Sequence, residues 1–171
     1  MLVFKPRRSN GWLWLVVIAL FTIGTGIVSA LPLLTGPTDK ILIGVLASTL
    51  LVMLAIGVPF LALAVWFPTM RYELDAHTLT LRYGPVLTYR IPLGEIQTIR
   101  KRDLSISLWS SMRFPGIALF TVPYTDVGNV KMCATAAATG ILLVETAKDK
   151  YGLTPADEED FVAALQARMG E

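Results

Sequence analysis

The residues from Ile41 to Phe67, ILIGVLASTLLVMLAIGVPFLALAVWF, include no charged side chain. As a helix rising about 1.5 Å per residue, this stretch reaches roughly 40 Å, more than the roughly 30 Å hydrocarbon core of a bilayer. A second uncharged run, Gly11 to Leu31, precedes it and is itself long enough to cross once. A chain that begins this way is predicted to be membrane-embedded in its first third, whatever the remainder does.

Charge is divided to match. Between Leu2 and Thr69 the only charged residues are Lys5, Arg7, Arg8, Asp39 and Lys40, whereas from Met70 onward there are 11 Lys/Arg and 12 Asp/Glu. The chain's 16% of charged residues falls below the roughly 25% of soluble domains because of the first part alone. The net charge of +2 splits into +3 before Gly11 and −1 after Met70. The pI of 8.8 therefore does not describe a basic domain, and no nucleic-acid partner is expected. The single cysteine, Cys133, has no disulfide partner within the chain, in keeping with a reducing compartment.

Lys5, Arg7 and Arg8 ahead of an apolar run ending near Ser29-Ala30 have the outline of a signal peptide. The run from Gly11 to Leu31 exceeds the roughly 7–15 residues of a signal core, and a second run follows, so an uncleaved helix is predicted. The connection Pro32 to Lys40 is too short for anything but an antiparallel neighbour, with Asp39 the expected N-cap of the second helix. Pro59 is expected to kink that helix. Trp12, Trp14, Trp66 and Phe67 sit where aromatic rings mark the interfaces. Thr22, Gly26 and Ala30 form a small-residue row on the first helix, and Gly44 and Ser48 offer a matching row on the second. The positive-inside rule puts both termini in the cytoplasm and the 32–40 turn outside. The expected organisation is a basic cytoplasmic arm over 1–10, a transmembrane hairpin over 11–69 (helices about 11–31 and 41–67), and a cytoplasmic domain over 70–171.

From Met70 the apolar period becomes two. RYELD, TLTLRY and the run Val86 to Ile91 read as a three-stranded meander with turns at Asp75-Ala76-His77 and Gly84-Pro85. Ile96 begins a further extended run, IQTIRKRD. Leu104 to Tyr124, which holds Trp109 and Phe114-Pro115-Gly116, reads as a long loop plus a strand. Val130–Ala134, Ile141–Thr146 and Tyr151–Leu153 are the next strands. The chain closes on a helix with Thr154 as expected N-cap, Pro155 at its first position and Asp157 to Asp160 loading its first turns with negative charge. Phe161, Val162, Leu165 and Met169 form its apolar side. The fold class is α+β, mainly β: an antiparallel sandwich or barrel with a helix covering one end or face.

This order of strands and final helix resembles the pleckstrin-homology-like superfold, and in detail the bacterial pleckstrin-homology-like domains that often follow two membrane helices. The residues that carry the resemblance are Leu79-x-Leu81-x-Tyr83-Gly84, Ile91-Pro92-Leu93-x-x-Ile96, Pro115-Gly116, Gly128-Asn129-Val130-Lys131, Ala134-Thr135, and Tyr151-Gly152-Leu153-Thr154-Pro155 leading into Phe161 and Leu165. The resemblance implies a binding or scaffold domain with no catalytic residues and no cofactor. A protein or peptide strand at an exposed sheet edge, or anionic lipid headgroups, are its implied partners.

The residues themselves agree with a non-enzymatic reading. There is no GxxxxGK[ST], no GxGxxG after a strand, no GxSxG and no HExxH. One histidine, His77, and one cysteine, Cys133, do not make a metal site by number or spacing, and Cys133 reads as a small core residue. Arg100-Lys101-Arg102 is the candidate contact for anionic headgroups of the inner leaflet. The hairpin has no ionisable residue in mid-span, which argues against a transport path of its own. The expected function is a bacterial inner-membrane, multi-pass protein displaying a cytoplasmic binding domain. The alternative is an accessory subunit of a larger membrane transporter or enzyme complex.

Overall fold

A computed structural model describes residues 1–36, 39–106 and 113–170. Pro37 and Thr38 of the predicted turn, and Trp109, lie outside the described residues. The chain divides into two units: Trp12–Val65, and a second built from Met1–Gly11 together with Trp66–Glu171.

The first unit is helical. Helix α1 spans Gly11–Ala30, the short α2 spans Pro32–Thr35, and α3 spans Lys40–Trp66, continuing through Pro59. The N–H of Ile43 donates to the carbonyl of Asp39 at 2.9 Å, which puts Asp39 at the N-terminal boundary of α3. Both helices are long and apolar enough to cross a membrane. They are apolar on all sides, and Phe21 (73% exposed), Ile41 (76%) and Leu51 (68%) are largely exposed. Their hydroxyls are turned inward. Thr22 donates to the carbonyl of Ile18, Thr25 to Phe21, Ser29 to Gly26, and Ser48 and Thr49 to Val45, at 2.7 to 2.9 Å. Such back-bonding leaves no polar group in need of water.

Among the described residues, the second unit holds ten strands in two open sheets. The first has the order β1 (Leu2–Phe4), β2 (Arg71–Leu74), β3 (Thr78–Tyr83), β4 (Leu87–Pro92), antiparallel throughout. The second has the order β5 (Ile96–Arg102), β9 (Ile141–Thr146), β10 (Lys150–Leu153), β8 (Gly128–Ala134), β7 (Ile117–Tyr124), β6 (Arg113–Phe114). Its pairs are antiparallel except for β8 and β10, which run parallel. Helix α4 spans Glu158–Met169. The meander, the later strands and the final helix thus stand where the alternation of apolar residues predicts them, and the sheets form a sandwich rather than a closed barrel.

The core is a set of alternating residues. Tyr72, Leu74, Leu79, Leu81, Tyr83 and Ile91 of the first sheet and Val122, Val130, Met132, Ile141 and Val144 of the second are each under 2% exposed. Tyr72 fastens the two sheets: its hydroxyl donates to the carbonyl of Cys133 at 2.8 Å and accepts the N–H of Thr154 at 3.2 Å. Phe161 of α4 packs edge-on against Phe4 and Tyr72, with ring centroids 5.1 and 6.1 Å away.

Three expectations change. The stretch 1–10 reads as a polar arm because its charges stand out, but Leu2-Val3-Phe4 pairs with β2, opposite Leu74, Glu73 and Tyr72. Beyond it the N–H of Arg7 donates to the carbonyl of Thr154 at 2.7 Å and the N–H of Ala156 to that of Lys5 at 2.9 Å. Thr154 is not the N-cap of α4. It is fully buried, and its hydroxyl accepts the Thr135 N–H at 2.8 Å and lies 2.9 Å from the Thr135 hydroxyl. Those tertiary partners outbid a local cap, and α4 starts at Glu158 instead. Finally, Phe161 and Leu165 are buried as the helical spacing predicts, but Met169 is 38% exposed.

Candidate functional site

Strand alternation builds a polar surface on the first sheet. In β2, β3 and β4 the apolar residues turn into the core, so their neighbours face outward. The register sets Arg71, Arg82 and Thr88 side by side in one row, and Glu73, Thr80 and Arg90 in the next. Glu73, Thr80, Arg82, Thr88 and Arg90 line a groove of about 550 Å3.

The charges in these rows are unevenly matched. Arg71 and Arg82 stand directly opposite each other, an arrangement that is unfavourable for like charges. Glu73 relieves it: its Oε1 accepts from Arg71 Nε at 2.6 Å and lies 3.6 Å from an Arg82 terminal nitrogen. Arg90 and the hydroxyls of Thr80 and Thr88 have no partner among the described residues. Two guanidinium groups therefore flank one carboxylate, and a third, that of Arg90, lies on the same face with two hydroxyls. Guanidinium forks and hydroxyl donors in this arrangement suit a carboxylate or phosphate oxyanion.

These arginines are distant in sequence, which hides them from a search for basic runs. Their only signal is that each occupies an outward position of a period-two strand. The contiguous basic run fares differently. Arg100, Lys101 and Arg102 lie on β5, where successive residues point to opposite faces. Lys101 Nζ donates to Glu158 at 2.7 Å, and Arg102 donates to Asp126 at 2.8 Å. Arg100 is exposed and has no partner among the described residues. β5 is also the outer strand of its sheet, and charges there discourage edge-to-edge pairing with other chains.

The small-residue rows meet only in part. A Cβ on Gly57 would come within 2.6 Å of Thr22 and Ile23, and one on Gly26 within 2.9 Å of Met53. Thr22 and Gly26 lie against α3, next to Gly57 and Met53. Gly44 has open space around it, Ser48 is exposed, and Ala30 is half-buried.

A second polar cluster joins the sheets near their ends. Lys131 Nζ donates to Asp149 at 2.7 Å and lies 6.0 and 5.6 Å from the ring centroids of Tyr89 and Tyr151. The hydrogen bond to Asp149 holds the Lys131 pKa above its usual value. His77 is exposed in the turn between β2 and β3. Cys133 is buried, and burial pushes its thiol up to about 12, so it is not a thiolate nucleophile. No group of three or more His, Cys, Asp or Glu that could hold a metal occurs among the described residues.

Residues 70–169 match the family model described as bacterial PH domain. The chain belongs to the bacterial PH domain family. No curated protein and no solved structure matches it. The match to the bacterial PH domain begins at Met70, whereas the sheet that carries the groove takes its first strand from Leu2–Phe4. In sequence, the helical unit lies between the first and second strands of that sheet.

Proposed function

We propose that this is a non-enzymatic integral membrane protein of the bacterial inner membrane, whose helical hairpin holds a bacterial PH domain at the cytoplasmic surface as a binding or scaffold module. One observation carries the reading. β1 precedes α1 and β2 follows α3, yet the two strands are paired in one sheet. Both ends of the hairpin must then lie on the side of the membrane where that sheet folds, which requires an even number of crossings. With three Lys/Arg in the residues before Gly11, the positive-inside rule makes that side the cytoplasm. PH-like domains are generally binding domains without catalysis. A peptide strand has β4 (Leu87–Pro92) as a free edge to join, and an anionic lipid has basic side chains to meet.

Topology reporters test this. A reporter fused after Glu171 is expected to report cytoplasm and one inserted at Gly36 the outside; a cytoplasmic signal at Gly36 would overturn the two-span reading. A second reading, an accessory subunit of a larger membrane transporter or enzyme complex, is favoured by the open space around Gly44, where a partner helix can approach closely. Purification in mild detergent separates the two: a stoichiometric membrane partner supports the subunit, a lone species the anchor.

A further inference from the structure

We infer that β4 is a docking edge, to which an extended acidic peptide of a partner protein adds as an antiparallel strand with its carboxylates beside Thr88 and Arg90. The inference rests on the reading of the domain as a binding module and names the chemistry of its partner.

The sheet edges are not alike. An unpaired edge strand is a template for other chains, and proteins protect such edges by shortness, charge, bulges or proline. Among the described residues, β1 has three residues and β6 two, so neither offers a long template. β5 is longer, but it carries the contiguous Arg100, Lys101 and Arg102, and its register shifts between Ile96 and Thr98. β4 has six residues, paired with β3 without a shift, and its one charge is Arg90. Its proline, Pro92, stands at the last position. Of these edges β4 is the least protected.

The phase of the hydrogen bonds shows what this edge presents. Thr78 lies opposite Pro92, and the next pair, His77 and Leu93, is joined by the Leu93 N–H donating to the His77 carbonyl at 2.9 Å. In an antiparallel ladder such bonded pairs alternate with pairs whose backbone groups point away from each other. Ile91, Tyr89 and Leu87 therefore bond to β3, while Thr88 and Arg90 turn their N–H and C=O to the open side. Pro92 shares that side, where its missing N–H breaks no ladder bond.

The side chains of Thr88 and Arg90 are exposed on the outer face. A peptide residue opposite Arg90 thus exchanges main-chain bonds with it, at about 5.5 Å between Cα atoms, and sets its own side chain on the same face. Arg71 and Arg82 also lie on that face, and Glu73 is the one carboxylate among the residues lining the groove. The surplus of guanidinium groups selects a carboxylate from the incoming strand. The peptide residue between two such carboxylates turns inward beside Tyr89, whose ring centroid lies 5.8 Å from that of Tyr151, so an apolar side chain suits it. A second copy suits the edge poorly, because pairing two β4 strands with matched faces gathers the arginines of both on one surface. The chain's own acidic run, 157–160, lies at the start of α4.

Fluorescence anisotropy of a short labelled peptide of alternating Glu and Val, titrated with the full-length protein in neutral detergent micelles, tests this. The Glu/Val peptide is expected to bind about ten-fold more tightly than a Lys/Val peptide of the same length. N-methylation of its Glu residues blocks the bonds to Thr88 and Arg90 and should abolish binding, whereas N-methylation of its Val residues should leave binding within about three-fold. Those comparisons leave the protein unaltered, so misfolding does not enter. Arg90→Glu is expected to weaken the Glu/Val peptide about ten-fold and to strengthen the Lys/Val peptide about three-fold, an exchange that a misfolded variant cannot produce. The assignment is overturned if the Lys/Val peptide binds as well as the Glu/Val peptide, if N-methylation of the Glu residues changes nothing, or if Arg90→Glu binds both peptides like wild type. It is equally overturned if the protein alone is a dimer that Thr88→Pro, which removes a free-edge N–H, dissociates; a second copy is then the occupant. In each of those cases the topology reporters at Glu171 and Gly36 still judge the membrane-anchor reading separately.

Discussion

Two sets of three basic residues behave in opposite ways. Arg100, Lys101 and Arg102 are contiguous in sequence, and folding takes them apart. Strand geometry sends neighbours to opposite faces, and Glu158 and Asp126 neutralise two of the three. Arg71, Arg82 and Arg90 are spread over twenty residues of sequence, and the register of β2, β3 and β4 gathers them on one face. A charge run in a strand is thus a poor guide to a charged surface, because the period of two halves it. Charges at alternate positions of paired strands are a better one.

The comparison is broken most completely by destroying the register. Leu81 is fully buried on β3 beneath the gathered arginines. Leu81→Ala is expected to cost about 2–5 kcal/mol in chemical denaturation. A stability loss under about 1 kcal/mol would mean that the sheet beneath the groove is loosely packed.

Alkaline pH attacks the same core from within. Burial raises the Cys133 thiol from 9.0 to about 12, and burial likewise raises Tyr72 and Tyr83 and takes Tyr124 to about 12. The unfolded chain gives up these protons first, so stability is complete below about pH 9 and is lost progressively as the pH climbs towards 12. At about 1.4 kcal/mol per unit, Cys133 alone accounts for a loss on the order of 4 kcal/mol. Denaturation midpoints measured from pH 8 to 11 check this. Cys133→Ala should flatten the first part of the decline, between pH 9 and 10, and a decline unchanged by that substitution would assign it to the tyrosines.

A smaller effect is expected at the joint between the sheets. Tyr72→Phe removes the hydroxyl that serves the Cys133 carbonyl and the Thr154 N–H, both in the interior. The expected loss is about 1–3 kcal/mol, read as a lower denaturation midpoint with an unchanged slope. A lower slope would show that the two sheets separate in more than one step.

The smallest effect distinguishes the basic sets directly. Lys101→Gln and Arg102→Gln each remove an ion pair whose cation is about half exposed, at 55% and 43%. Each is expected to lower stability by less than about 1 kcal/mol, read as a small fall in denaturation midpoint. A larger fall would show that these pairs fasten β5 more tightly than exposed ion pairs usually do.

Much of the fold was legible in the residues. Uncharged runs of this length mark helices long enough to cross a membrane, and the alternation of RYEL and TLTLRY marks the faces of their strands, because both signals are local. The strand Leu2–Phe4 was not legible, since three residues have too little periodicity to stand out beside Lys5, Arg7 and Arg8. The role of Thr154 was not either, because a buried partner, Thr135, nineteen residues away outweighs a cap that would have been local. Likewise Gly57, not Gly44, meets α1, because the offset between antiparallel helices depends on packing along their whole length.

The amino-acid sequence by itself determined that two helices are long and apolar enough to cross a membrane, the type of nearly every element and the family of the domain. Those properties follow from hydrophobicity and spacing within a few residues. Only the tertiary structure decided which strand closes the sheet, which helix residues touch and which arginines share a groove. These depend on pairing between residues up to about seventy positions apart, which no local pattern encodes.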